Sequence, residues 1–212
     1  MNNKMDTKYI RLNTVLKPPE KIAEKIIELS REIGQKEEAE FILDGQNYFP
    51  HLTLYSPEYP ENRLNDVREK VKILAKKLSP VKMMHTGLRS GQGFIVLDFV
   101  LTPTIKKMHE TIVKDLNPLR EGHYRKKYDA PDYQMKMSEE QKNNITKYGY
   151  ADAMSLYHPH LSIIRLKDEK VAWEICQNIT WPEKEFIMDT LAVYKMGKHG
   201  TCTELAAEFK LS

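Results

Sequence analysis

Two short stretches, "FPHLTLY" at 49–55 and "HPHLSII" at 158–164, each set a histidine and a hydroxyl two residues apart inside an apolar run. In an extended chain, residues i and i+2 share a face. His51 and Thr53 therefore emerge opposite Leu52 and Leu54, and His160 and Ser162 opposite Leu161 and Ile163. The same alternation adds Tyr55 to the first polar face and Ile164 to the second. Imidazole and hydroxyl then stand roughly 6–7 Å apart along each strand. A neutral histidine can take a proton and a protonated one can give it, each contributing typically ~10²–10⁴-fold to a rate. Hydroxyls can donate to the non-bridging oxygens of a phosphate and hold phosphorus in line between the imidazoles. Brought to one point, the two sets would suit a phosphodiester and need neither a metal nor a cofactor.

Other chemistry must be weighed at the same residues. One such histidine is more often structural than catalytic; the argument comes from the repeat of Pro-His-Leu-(Thr/Ser) in both halves of the chain. His158 and His160 could chelate a metal, but no Asp, Glu or Cys follows at ligand spacing. Ser162 lacks the GxSxG surroundings of a nucleophile elbow and aligns with Thr53.

The elements that must position these residues follow from hydrophobic period. "KYIRLNTVLK" (8–17) alternates as a strand and ends at Pro18-Pro19. Ile22, Ile26, Leu29 and Ile33 form one helical face, as do Leu64, Val67, Val71, Leu74 and Leu78 further on. "KMMHTGLR" and "FIVLDFVL" flank the turn "SGQG" and predict a hairpin. Thr102-Pro103 opens a helix carrying Ile105, Met108, Ile112 and Leu116. Val171, Ile175 and Ile179 mark another helix after the second histidine strand. "FIMDTLAVYKM", "GKHG" and "TCTELAAEFKL" read as a closing hairpin.

The order strand, helix, histidine strand, helix occurs twice, over about 8–90 and 93–210 of one domain spanning 1–212. Two such units packed together would bring His51 and His160 to a shared cleft. Segment 119–157 breaks the symmetry. Its first part interleaves Tyr124, Tyr128 and Tyr133 with basic residues; its second is a helix opened by Ser138 and Gln141 as a capping box and closed at Gly149. It reads equally as a recognition element over a cleft or as a solvated loop with local tyrosine packing. Arg11, Tyr48, Tyr55 and Tyr157 flank the motifs and are candidates to contact a ribose, base or phosphate; Arg11 and Asn13 alternate on the first strand and could line the cleft.

Bulk composition agrees with an ordinary globular chain: 33 Lys+Arg against 30 Asp+Glu give a formal charge of +3, too mild for a nucleic-acid stripe. Cys176 and Cys202 sit outside any CxxC spacing and are expected as reduced buried thiols. The first residues lack the apolar run of a leader and no stretch approaches ~18 apolar residues. A cytoplasmic, monomeric protein without membrane association is expected.

"HLTL" at 51–54 and "HLSI" at 160–163 resemble the paired motifs of the 2H phosphoesterase superfamily, which includes the bacterial RNA 2′,3′-cyclic phosphodiesterases, also called 2′-5′ RNA ligases. The resemblance spans nearly the whole chain. It implies an α+β fold of two pseudo-symmetric lobes, with antiparallel sheets lining a central cleft and helices outside. It makes His51 and His160 the acid–base pair and Thr53 and Ser162 the phosphate holders. "MSEEQKNNITKYGYADAMSLYHPHLSI" is further similar to a branch associated with phosphonate metabolism, which acts on a small ribosyl cyclic phosphate. The expected substrate is thus a cyclic phosphate, either that small sugar or a nucleotide or RNA end. Binding without turnover and 2′-5′ ligation are the alternatives.

Overall fold

The computed structural model describes residues 7–212; the first six, part of the segment read as lacking a leader, lie outside it. The strands are β1 (Tyr9–Lys17), β2 (Ala39–Ile42), β3 (Leu52–Tyr55), β4 (Glu58–Pro60), β5 (Val81–Gly91), β6 (Phe94–Phe99), β7 (His160–Leu166), β8 (Glu185–Met188), β9 (Thr190–Met196) and β10 (Cys202–Lys210). Helices α1 (Glu20–Gly34), α2 (Leu64–Ala75), α3 (Pro103–Leu116), α4 (Pro131–Lys136), α5 (Glu139–Tyr148) and α6 (Glu169–Asn178) complete the main elements.

All strands join one antiparallel sheet in the order β10-β9-β1-β3-β7-β6-β5-β8. Two short strands flank its centre, β4 on β1 and β2 on β7. The expected fold class is therefore observed, with the wings of the sheet meeting at the histidine strands. Sequence halves and wings do not coincide: β9 from the C-terminal part lies beside β1, while α1 packs on β7 and α3 on β3. The crossing helices stitch each histidine strand to the opposite half of the chain.

Helix faces read from spacing are the buried ones. Ile22, Ile26 and Ile33 of α1, Val67, Val71 and Leu74 of α2, and Ile105, Met108, Ile112 and Leu116 of α3 enter the core. Thr102 Oγ1 accepts from the Ile105 amide at the start of α3. The Ser138–Gln141 capping box forms in both directions, and Gly149 closes α5 at φ 67°. In the β5–β6 hairpin, Gln92 and Gly93 both take positive φ, 52° and 79°. A Cβ on Gly93 would lie 2.3 Å from the Leu166 carbonyl oxygen, so only glycine fits there.

Four elements depart from the sequence expectation, among them the six-residue α4, which falls where the sequence shows only tyrosines interleaved with basic residues. β2 and β4, of four and three residues, are too short for a period to show. "FIMDTLAVYKM" is two strands, because Asp189 interrupts it and β8 pairs with β5 while β9 pairs with β1.

Candidate active site

The histidine strands meet at the middle of the sheet, where Leu52 pairs with Leu161. Counting one residue outward along the antiparallel pair sets His51 across from Ser162 and Thr53 across from His160. Each imidazole thus faces the other motif's hydroxyl. Leu52, Leu54, Leu161 and Ile163 are fully buried beneath them, each stabilising the platform by about 1.5–3 kcal/mol relative to exposure.

Both strands carry the same irregularity. In β3, Thr53 pairs with Val15 and Tyr55 with Thr14, leaving Leu54 extra; in β7, Ser162 pairs with Val96 and Ile164 with Ile95, leaving Ile163 extra. A bulge one residue past the hydroxyl switches the alternation. Tyr55 and Ile164 consequently turn into the core, fully buried, and leave the polar face on which simple alternation places them. The Tyr55 hydroxyl donates to the Tyr148 carbonyl at 2.5 Å, outside the cleft.

The two imidazoles are braced identically. His51 Nδ1 lies 2.8 Å from the Phe49 carbonyl and His160 Nδ1 3.0 Å from that of His158. A carbonyl only accepts, so each Nδ1 carries the proton and each Nε2 is left to exchange one. Burial pushes the His51 pKa down to about 4, opposed by the Phe49 carbonyl and reinforced by the nearby His160 and Arg11 charges. Burial also lowers His160, opposed by the His158 carbonyl; the Arg89 charge adds to the lowering and Asp98 works against it. Asn13, fully buried on β1, donates through Nδ2 to Thr53 Oγ1 at 2.9 Å. That occupies a lone pair of the hydroxyl and leaves its hydrogen free to point into the cleft.

The cleft has two arms meeting at Thr53, Phe94, Tyr150, Asp152, His160 and Ser162. One, of about 450 Å³, adds Arg89, Gln92, Leu156, Tyr157 and His158; the other, of about 230 Å³, adds Arg11, His51, Ser56, Tyr128 and His199. Among the flanking candidates, Arg11 and Tyr157 reach the cleft. The Tyr157 ring stacks on His109 at 3.9 Å and its hydroxyl donates to the Thr53 carbonyl at 3.1 Å. Tyr48 lies elsewhere, in a depression with Ala39, Phe41 and Thr203. Asn13 is a brace behind Thr53 and lines neither arm.

Sequence reasoning missed Asp98. It is paired with His160 across the β6–β7 ladder, accepts a fork of bonds from Arg89 at 2.7 and 3.1 Å, and lies 3.2 Å from His158 Nε2. A lone carboxylate inside "FIVLDFVL" was the available signal. Asp98 thus gives His158 a partner, yet among the described residues no three His, Cys, Asp or Glu side chains form a metal-ligating cluster. His109 and His123, unassigned from sequence, also have structural work: His109 bridges the Leu54 carbonyl and the Met154 amide, and His123 meets Glu58 at 2.9 Å. The 119–157 segment supplies cleft wall through Tyr128, Tyr150, Asp152, Leu156 and Tyr157, while Tyr124 and Tyr133 pack locally.

Comparison with known proteins agrees with this architecture. Residues 18–200 match the sequence model of the 2′-5′ RNA ligase superfamily. TT0787 of Thermus thermophilus is similar in fold at a TM-score of 0.55 and 14% identity, covering 95% of this chain and 98% of that one. LigT of E. coli in apo form gives 0.53 and 13%, covering 97% and 99%; LigT complexed with 3′-AMP gives 0.51 and 13% over the same shares. No curated protein matches.

Proposed function

The chain belongs to the 2′-5′ RNA ligase superfamily, a 2H phosphoesterase group, and from that premise we propose that it opens a cyclic phosphodiester on a ribose by two-histidine acid–base catalysis. The observation that carries the reading is the paired arrangement of His51 and His160, each braced at Nδ1 by the carbonyl two residues back. A phosphate seated between Thr53 and Ser162 would have one free Nε2 on either side, as in-line displacement requires. We assign the base to His51, whose low pKa keeps it neutral, and the acid to His160, which stands across the β6–β7 ladder from the Asp98 carboxylate. His51 takes a proton from water as the water oxygen bonds to phosphorus. The bond from phosphorus to one ribose oxygen breaks, and His160 delivers its proton to that oxygen, leaving a phosphomonoester. Thr53 and Ser162 donate to the non-bridging oxygens as charge gathers there.

The 3′-AMP complex of LigT, which shares this fold, supports a ligand of nucleotide size. The walls contributed by 149–158 favour a small ribosyl or mononucleotide cyclic phosphate over a long RNA, consistent with the resemblance to the phosphonate-associated branch. The test is turnover of 2′,3′-cyclic nucleotides and ribosyl cyclic phosphates in the presence of EDTA, with product analysis on an RNA bearing a cyclic end to detect ligation. Cyclic phosphates bound tightly but recovered unchanged would overturn it.

A further inference from the structure

The imidazoles of His51 and His160 share a form of brace, but the two braces are held in place differently. The Phe49 carbonyl that receives His51 Nδ1 belongs to a residue fixed through its backbone, because the Phe49 amide donates to the Cys202 carbonyl at 3.1 Å. The Phe49 ring also packs on Tyr194, with 5.2 Å between centroids. The carbonyl that receives His160 Nδ1 belongs to His158, which lies just ahead of β7 with a half-exposed side chain. The contact that holds this side chain is Asp98, whose Oδ1 lies 3.2 Å from His158 Nε2.

Asp98 interrupts the apolar strand β6 between Leu97 and Phe99, and all three are buried. A carboxylate withdrawn from water is costly unless it is paired and hydrogen-bonded. Arg89 supplies the pair: its Nε and Nη2 donate to the two carboxylate oxygens at 2.7 and 3.1 Å. Arg89 itself stands opposite Val96, and the β5 residue directly opposite Asp98 is Gly87. Even a Cβ at Gly87 would meet nothing within 4 Å, so the diagonal from Arg89 to Asp98 is open. The fork fixes the plane of the carboxylate, and with it the direction from which Oδ1 meets His158. On the other flank, the β7 residue directly opposite Asp98 is His160. Side chains paired in this way share a face, with Cβ atoms roughly 4.5–5.5 Å apart. Asp98 therefore flanks the His160 side chain and holds the residue that braces it, yet it lines neither arm of the cleft.

We propose that Asp98, locked by Arg89, is a positioning residue for His160. It fixes His158 and, through the His158 carbonyl, the Nδ1–H tautomer and ring orientation that leave His160 Nε2 free to exchange a proton. Asp98 itself touches no reacting atom. The inference rests on the reading of His51 and His160 as an acid–base pair, and it gives His158 and Asp98 one joint task.

Tautomers test it without requiring turnover. Nitrogen-15 NMR of the imidazoles at pH 8 should find His160 in the Nδ1–H form in the unaltered protein. In Asp98→Asn and in His158→Leu, that form should give way to a mixture with the Nε2–H form, while His51 stays as it was. On a cyclic phosphate, both variants should lose about tenfold to 10²-fold in kcat, with KM held within about twofold. His158→Gln, whose amide nitrogen can reach Asp98, should recover most of that loss. The double variant Asp98→Asn/His158→Leu should be no worse than the poorer single one. Because the His158 side chain is half-exposed, His158→Leu keeps the test open even where Asp98→Asn fails to fold. An unchanged His160 tautomer in His158→Leu, a loss confined to KM, or His158→Gln as impaired as His158→Leu would each overturn the positioning role. If the tautomer changes as expected but the unaltered protein turns over no cyclic phosphate, the catalytic reading fails and the placement of His160 by Asp98 stands.

Discussion

Asn13 Nδ2 donates to Thr53 Oγ1 at 2.9 Å across the β1–β3 junction, from a side chain with no exposure to solvent. The bond orients a hydroxyl whose proposed work is to donate to phosphate, so the amide end of Asn13 matters as much as its presence. Asn13→Ala should cost about tenfold in kcat/KM on a cyclic phosphate, since Thr53 keeps its hydroxyl and loses only its orientation. Asn13→Asp should cost more despite equal size. A carboxylate there accepts, drawing the Thr53 hydrogen away from the cleft, and its charge repels the phosphate. Steady-state kinetics on the two variants decides it; Asn13→Asp at or above the activity of Asn13→Ala would remove the donor role.

His51→Ala and His160→Ala should each lower turnover by about 10²–10⁴-fold. Thr53→Val and Ser162→Ala should each cost about 10²–10³-fold where the hydroxyl stabilises developing charge. Because the imidazoles act as a pair, the double histidine variant should be little worse than the poorer single one. Full turnover in either single histidine variant would remove that residue from the chemistry.

These residues were open to view in the sequence because their placement is local. A histidine and a hydroxyl two apart in an apolar run declare a shared face without knowledge of any other strand. The five longer helices were legible for the same reason, as was the Ser138–Gln141 box, which forms within one turn; the six-residue α4 was not. What escaped depends on pairing between distant segments. Asp98 meets His158 only because β6 lies beside β7, and Arg125 meets Glu58 only because the 119–157 segment folds back onto β4. The bulges at Leu54 and Ile163 are likewise set by neighbouring strands, and they take Tyr55 out of a face that alternation alone assigns to it.

The pH dependence should be displaced toward acid. For the free enzyme, kcat/KM requires His51 neutral and His160 protonated. Since His51 sits at about 4 and His160 below its ordinary 6.5, the bell should peak below pH 6.5, with its acid limb near pH 4. An optimum above pH 7 in kcat/KM would contradict the assignment of roles.

Stability should fall over the same range for a second reason. His109 has no solvent exposure; its Nδ1 donates to the Leu54 carbonyl at 2.7 Å and its Nε2 accepts from the Met154 amide at 2.8 Å. Protonating Nε2 destroys the second bond, and burial holds the pKa down to about 4 against an ordinary 6.5. Below pH 6.5 the unfolded chain takes up a proton that the folded chain refuses until about pH 4. Stability is therefore complete above 6.5 and declines as pH drops through that window, by up to about 3 kcal/mol. His109→Phe keeps a ring against Tyr157 while leaving the carbonyl and amide unmatched. It should lose about 1–3 kcal/mol at pH 8 and show a shallower decline toward pH 5. Urea unfolding at pH 5, 6.5 and 8 measures both.

The inserted segment should depend on Arg120. This arginine is 3% exposed and has no carboxylate partner among the described residues; it donates instead to Asn117 Oδ1 at 2.7 Å, to the Thr146 carbonyl at 2.9 Å and to the His123 carbonyl. It thereby ties the end of α3 to both ends of the segment that carries Arg125, Lys127 and Tyr128. Arg120→Leu fills similar volume but leaves those acceptors unsatisfied, at about 1–3 kcal/mol. The loss should be concentrated locally, because the sheet beneath does not rest on these bonds. Limited proteolysis should then cut within 121–150 well before the rest of the chain. Substrate selectivity should fall with it, as it should on deleting 121–150 outright. A variant cut no faster there, with unchanged selectivity among cyclic phosphates, would show that the segment neither leans on Arg120 nor reads the substrate.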